Sequence, residues 1–306
     1  MKVSIIIPTF GRPKIFEKCI KSIEVLDLNP IKPFEVVVIN NNNDKKLRDE
    51  TSRVCRDSKL NIVEIKTESA VGSVKARNLG IKKARGEILF FFDDDTEIQK
   101  DYFKYIMRDY CDVNVGAAGG SEIKEKISLL HRLFFAFNKP GSITWSGEII
   151  SNFSPDYKNK IIVEHLHGSN FSIRRSVIKK IGLMDEKMEG HYRDETEFVY
   201  RVFESGFDVV FEPKARVFHN ASSIGGNIDP SRKKDWAYWY HRNTSYFFFK
   251  HLYKNNAVRL FFYLLRELIM SIIRSVIYMN IYYLTEIKGI VEGYNLNLRT
   301  IKSKSI

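Results

Sequence analysis

The chain has 306 residues, 44 % of them hydrophobic and 28 % charged, with a net charge of +12. That mixture supports an ample core in one large domain or two and excludes a disordered or low-complexity protein. The three cysteines, Cys19, Cys55 and Cys111, are odd in number and form no CxxC pair, which argues against a disulfide frame or a zinc site and for free thiols in a reducing compartment.

Met1 to Pro8 has too short an apolar stretch for a secretory leader and reads as a first strand, Val3 to Ile7. A helix follows from Pro13 to Val25, with Ile15, Phe16, Cys19, Ile20 and Ile23 at helical spacing and Pro13 in the first turn. Strand Glu35 to Ile39 runs into Asn40-Asn41-Asn42-Asn43-Asp44, a sequence suited to a turn and a helix cap before the helix Lys45 to Cys55. Strand Asn61 to Ile65, helix Val71 to Ala84, strand Glu87 to Phe92 and a helix near Lys100 to Tyr110 complete the first third. Strands alternating with helices predict a mostly parallel sheet with right-handed crossovers. The segments Pro8 to Arg12, Asn40 to Asp44 and Asp93 to Asp95 then share one sheet edge, where ligands bind in open α/β folds.

The stretch Ile88 to Phe92 is apolar throughout, fitting a strand buried on both faces, and Asp93, Asp94 and Asp95 follow without a spacer. Three adjacent carboxylates repel one another. A hard divalent cation relieves that repulsion and prefers such ligands together with a nucleotide's phosphates; the plain alternative is a solvated acidic turn. Thr9, Arg12 and Arg77 are placed to approach phosphates, and the asparagines to meet a base or ribose. Neither a GxGxxG turn nor a Walker lysine loop is present, which disfavours a dinucleotide fold and a P-loop NTPase.

Ser4 to Arg12 (SIIIPTFGR), Val36 to Asn41, Ala76 to Ile81 and Ala84 to Asp95, in that order, resemble glycosyltransferase family 2. The likeness continues through Gly168 to Arg175, Ile181 to Glu186, Arg193 to Phe198 and Ala215 to His219, covering roughly residues 3 to 220. The resemblance implies an α/β fold of GT-A type, with a mostly parallel central sheet flanked by helices. It implies a catalytic domain over 1–228 (nucleotide-binding half 1–110, acceptor half 111–228), and the change of composition past Pro230 sets off a basic, aromatic-rich helical extension over 229–306. It makes Asp93 and Asp95, around Asp94, the DxD pair that holds Mn²⁺ or Mg²⁺ on the diphosphate of a UDP-, dTDP- or GDP-sugar. Pro8, Thr9, Asn40 and Asn41 fall on base-and-ribose contacts, with Asn40 where the family commonly has Asp, and Arg77 and Asn78 match an Arg-Asn pair near the nucleotide. His219 matches a histidine near metal or diphosphate. A surface histidine ending the strand-like run Ala215 to Phe218 is the alternative.

Residues Ile161 to Gly168 alternate like a strand, which puts His165 and His167 on one face, as a polar strand face or a metal pair. Asp194 and Glu197 have the spacing of a capping box for the helical run Phe198 to Phe203, which leaves Glu195 to face a cleft. In the family an acidic pair here carries the general base. The order is reversed in this chain, so Glu195 is the first choice for the base and Asp194 the second.

Past Pro230 the chain turns aromatic and basic: from residue 231 onward it holds 13 lysines and arginines against four acids, including Arg232, Lys233 and Lys234. The apolar stretch Leu260 to Leu284 is long enough to span a bilayer, but Arg266, Glu267 and Arg274 bring the insertion balance near zero. A helix lying on a membrane surface, or packed on the catalytic domain or a second subunit, fits as well. The expectation is a metal-dependent, inverting glycosyltransferase at the cytoplasmic face of a membrane, touching it through 231–285, with a glycan or lipid-linked acceptor. Rival readings are a polysaccharide synthase, disfavoured because Gln-x-x-Arg-Trp is missing, and an aspartate-nucleophile phosphatase, disfavoured by Glu97. A basic-aromatic nucleic-acid binder, with no binding module beside its patch, is the non-enzymatic rival.

Overall fold

The computed structural model describes residues 1–26, 34–123, 139–188, 190, 192–220, 236–252, 256–277 and 284–302. The chain divides into two compact units. The first takes in Met1–Ser142, Ile150–Asp185 and Glu195–Asn227; the second takes in Ile143–Ile149, Glu186–Asp194 and Ile228–Ile306.

The first unit is built on a nine-stranded sheet. Strands β1 (Val3–Thr9), β2 (Phe34–Asn40), β3 (Ile62–Lys66) and β4 (Ile88–Phe92) pair in parallel, in the order β3-β2-β1-β4. Beyond β4 the sheet continues through β10 (Asn170–Arg174), β6 (Val115–Ile123), β11 (Asp208–His219) and β5 (Thr96–Ile98), with β9 (Ile161–Ile162) also on β11. Two further short strands, β7 (Ser142–Ile143) and β8 (Ile149–Ile150), pair apart from it. In the main sheet β10, β5 and β9 run against the other six strands, so the direction is mostly parallel. Expected boundaries in the first third lie within one or two residues of the observed ones.

Helices α1 (Pro13–Glu24), α2 (Lys45–Asp57), α3 (Ser73–Lys83) and α4 (Tyr102–Asp109) flank the sheet. The apolar stripe of α1 is buried at Phe16, Cys19, Ile20 and Ile23, the three-and-four spacing of one helix face. Asp44 caps α2 by accepting from the Leu47 amide at 2.9 Å. The end of β4 is pinned by rings on both faces. Phe90 meets Phe103 at 4.6 Å and Phe92 meets Tyr102 at 5.4 Å on one side, while Phe91 stacks on Phe171 at 4.6 Å on the other. Burying each such ring contributes about 1.5–3 kcal/mol, so the carboxylates that follow hang from one of the firmest points of the core.

The alternating run 161–168 forms strand only at Ile161–Ile162. His165 is fully buried against Phe153, with ring centroids 5.5 Å apart, and His167 meets the same ring at 6.3 Å, so the two histidines share a side, though not on a strand. Alternation did not make a strand because Gly141 engages this segment instead: its carbonyl accepts from the amides of Glu164 and His165.

Apart from the β7–β8 segment Ile143–Ile149, the second unit is mainly helical, with α7 (Trp236–His251), α8 (Ala257–Ile277) and α9 (Leu284–Lys302). Helices α7 and α9 cross closely: a Cβ at Gly289 or Gly293 would meet the Tyr238 or Arg242 carbonyl oxygen at 2.4 or 2.3 Å. A buried charge cluster ties all three helices. His241 lies 3.0 Å from Glu267 and 3.6 Å from Glu286, and Glu286 also accepts from Ser271 and Arg274 at 2.6 Å each. Of the apolar stretch expected over 260–284, α8 accounts for the part up to Ile277, and 278–283 lie outside the described residues, as do Arg232, Lys233 and Lys234. Among the described residues no helix is long and apolar enough to cross a membrane.

Candidate active site

Strand order brings five chain segments to one edge of the first unit's sheet. The ends of β1 and β4, the start of antiparallel β10, and the ends of β6 and β11 carry Arg12, the three aspartates, Ser169, Glu122 and His219 respectively. At its centre the Nε2 of His219 lies 3.2 Å from an Asp95 oxygen and 4.0 Å from one of Asp93. One donor atom from each of Asp93, Asp95 and His219 lies within 4.8 Å of the other two.

The acids also have cationic neighbours of their own. Arg77 reaches Asp93 at 2.7 Å, and Arg12 spans Asp94 through Nε at 2.9 Å and Asp95 through Nη1 at 2.7 Å. The repulsion expected among three carboxylates is therefore largely met by Arg12, Arg77 and His219. Burial pushes the Asp94 carboxyl above its ordinary range despite Arg12. Burial acts on Asp95 in the same sense, yet His219 and Arg12 outweigh it and hold that carboxyl low. Burial works against charge on His219 as well, but Asp95 and Glu122 carry it up to about 10.

Behind the histidine stands Glu122, whose Oε1 lies 2.7 Å from His219 Nδ1, 3.1 Å from the Ser169 hydroxyl that donates to it, and 3.2 Å from His167 Nδ1. Glu122 is 4 % exposed. No motif announces it. Its one cue in the sequence is an acid near the end of β6, a strand otherwise made of small and apolar residues. His167, expected on a polar strand face, instead bonds Ser169 at 2.8 Å beside His219.

The asparagines expected to meet a nucleotide are spent inside the protein. Asn40 has no exposed surface; its amide donates to Glu64 at 2.8 Å and to the Arg48 carbonyl at 2.9 Å. Asn41 pairs with the Val71 backbone and accepts from Thr67, while Asn42 accepts from the Gly11 amide at 2.6 Å. Together they tie the loops after β1, β2 and β3 to one another. Asn78 likewise clasps both backbone groups of Met184 at 3.0 Å. Thr9 is buried, at 2 % exposure, and Pro8 half-buried, at the end of β1.

Glu195 comes to this edge through Gly168. A Cβ there would stand 2.9 Å from Glu195 Cδ, so the absence of a side chain is what lets the carboxyl lie over the turn. The neighbouring Ser169 carbonyl accepts from the Asp93 amide at 3.3 Å, linking this turn to the aspartates. Asp194 is buried and opens helix α6 (Asp194–Glu204), and Glu197 is held by Arg201 at 2.9 Å one turn on. Helix α5 (Arg175–Ile181) continues from β10.

Two carboxylates and an imidazole at this separation make a donor set that suits a hard or borderline divalent cation such as Mn²⁺, so the residues present fit the metal that the resemblance implies.

The Glycosyl transferase family 2 model matches residues 4–182, more than half of the chain. A probable glycosyltransferase, YdaM of Bacillus subtilis, is 23 % identical over 79 % of this chain and 54 % of its own length. A GalNAc(5)-diNAcBac-PP-undecaprenol beta-1,3-glucosyltransferase of Campylobacter jejuni is 24 % identical over 66 % of this chain and 63 % of its own. The chain thus spans less than two thirds of the length of either relative. Among solved structures, a mannosyltransferase of Pyrobaculum calidifontis in complex with GDP-Man and Mn²⁺ superposes with a TM-score of 0.61 at 15 % identity, over 97 % of this chain and 86 % of that one. TarS 1–349 of S. aureus gives 0.59 at 17 % identity, over 96 % and 81 %. These likenesses carry the GT-A fold, and with the family model matched over residues 4–182, the chain belongs to glycosyltransferase family 2.

Proposed function

We propose that the chain is a metal-dependent, inverting glycosyltransferase that moves a sugar from a nucleoside-diphosphate donor to a glycan or lipid-linked acceptor at the cytoplasmic face of a membrane. The observation that carries this reading is the convergence of Asp93, Asp95 and His219 at the sheet edge of a family 2 chain. The names of its relatives support it: one acts on an undecaprenol-linked glycan, one solved neighbour holds UDP-GlcNAc, and another holds GDP-Man and Mn²⁺.

Asp93, Asp95 and His219 would hold the cation, which when bound supplies Lewis-acid stabilisation of the charge on a departing diphosphate. Arg12 and Arg77 set positive charge against the same turn. Glu122 orients His219 by accepting at Nδ1, which leaves Nε2 aimed at the aspartates. Inversion requires one base to take the proton from the acceptor hydroxyl as its oxygen attacks the anomeric carbon. Glu195, half exposed over Gly168, is the first choice for that base and Asp194, buried beside it in sequence, the second. The end of β1, at Pro8 and Thr9, is the proposed side of the base and ribose, with Asn40, Asn41 and Asn78 acting as struts behind it.

Thermal unfolding with a panel of UDP-, dTDP- and GDP-sugars, each with and without Mn²⁺, tests this reading. One donor should raise the midpoint only when Mn²⁺ is present, and Asp95→Ala should abolish both that shift and turnover. An Asp95→Ala protein that transfers sugar as well as the parent rejects the metal assignment.

A further inference from the structure

Helix α8 is two-faced, and among the described residues its outer face is left exposed. Leu260, Tyr263, Glu267 and Ser271 are buried, whereas Val258, Phe261, Leu265, Ile269, Ile272 and Val276 are each 40–70 % exposed. Their spacing of three and four residues confines those six to an arc of about 80° and a length of about 27 Å along the helix. Trp145, 57 % exposed, packs on Phe262 at 5.2 Å and widens the strip with a ring whose polar edge suits a boundary between water and lipid. Scattered exposed apolar residues are ordinary on a protein surface; a continuous strip of this length is not.

Charge decides between the surfaces that cover such a strip. From residue 231 onward the chain carries 13 lysines and arginines and four acids, a net +9. Two of those acids, Glu267 and Glu286, are buried and committed to His241, Arg266 and Arg274. Lys288 and Arg299 face solvent on α9. A second copy would bring the same positive region against itself, whereas an anionic bilayer offers both the apolar layer and the opposite charge.

We infer that α8 lies in the plane of an anionic membrane, with Phe261, Leu265, Ile269 and Ile272 among the acyl chains and the basic residues at the headgroups. The inference gives a molecular surface to the membrane-face part of the proposed function and does not depend on the transfer chemistry.

Co-sedimentation of the full chain with vesicles tests it without any sugar nucleotide. Vesicles of phosphatidylcholine with about 30 % phosphatidylglycerol should bind the protein at least tenfold more tightly than phosphatidylcholine alone, and rising salt should weaken the binding. The double variant Phe261→Asn with Ile272→Asn, both at exposed positions, should lose at least tenfold of that affinity with an unchanged melting midpoint. Ile162→Asn, at an exposed apolar residue of the first unit, should retain it. Failure of the parent protein to bind either vesicle overturns the inference. So does a double variant that binds as the parent does, or a strip that serves only to pair two copies, seen as a dimer in sedimentation that the double variant turns into monomer. Sugar-nucleotide turnover, measured separately, reports on the transfer reaction whichever way the vesicles answer.

Discussion

Glu122 Oε1 lies 2.7 Å from Nδ1 of His219, and the opposite nitrogen of that ring lies 3.2 Å from Asp95. One buried acid thus fixes which way the imidazole faces. Replacing Glu122 with Gln keeps the shape but gives up the charge that anchors the ring. The expected result is a loss of about 10–100-fold in Mn²⁺ affinity with the fold intact, read by calorimetric titration of the metal alone. Unchanged affinity would place Glu122 outside the metal's support.

Arg12 is the near neighbour that neutralises Asp94, which is only 3 % exposed. Arg12→Ala leaves that carboxylate buried without its cation and should lower stability by about 3–5 kcal/mol in urea unfolding. Adding Asp94→Asn should recover part of the loss, because the orphaned group is then neutral. If the double variant is no more stable than the single one, the Arg12–Asp94 pair is not what holds this turn.

Gly168 and Glu195 share one space. Gly168→Ala drives a methyl group against the Glu195 carboxyl, so acceptor transfer should slow while donor binding, followed by the thermal shift, stays as before. Glu195→Gln removes the proposed base and should reduce transfer by about 10²–10⁴-fold. Equal activity in Glu195→Gln moves the assignment to Asp194.

His241 faces Glu267 of α8 and Glu286 of α9. Burial opposes its charge, yet the two acids raise its pKa above the ordinary value. For a raised histidine, the stabilisation is complete below about pH 6.5 and is lost as pH climbs through the folded-state value. Burial likewise opposes charge on Glu286, but His241, Arg274 and Ser271 bring it down to about 2, so its contribution is lost only as pH falls from about 4.5 toward that value. The melting gap between the parent and His241→Asn should therefore be widest near pH 5–6.5 and shrink above it. A gap that is flat from pH 5 to 9 would remove His241 from the stability of the three helices.

The neighbourhood of residues close in the chain was legible in the sequence. An apolar strand followed directly by Asp93 to Asp95 puts those acids at a strand end by covalent connection alone, and helical spacing marked α1, α2 and α3 to within a residue or two. Direction and company were not legible. Asn40 sits at the end of β2 as expected, but whether its amide points to a ligand or to Glu64 depends on β3 lying alongside. Glu122, His219 and Asp95 lie far apart in the chain and meet only because β10 and β6 stand between β4 and β11, a strand order that no local pattern encodes. The sequence likewise shows an amphipathic helix over α8. Only packing decided which of its faces α7 and α9 would cover, because burial is a property of the neighbours a residue finds and not of the residue itself.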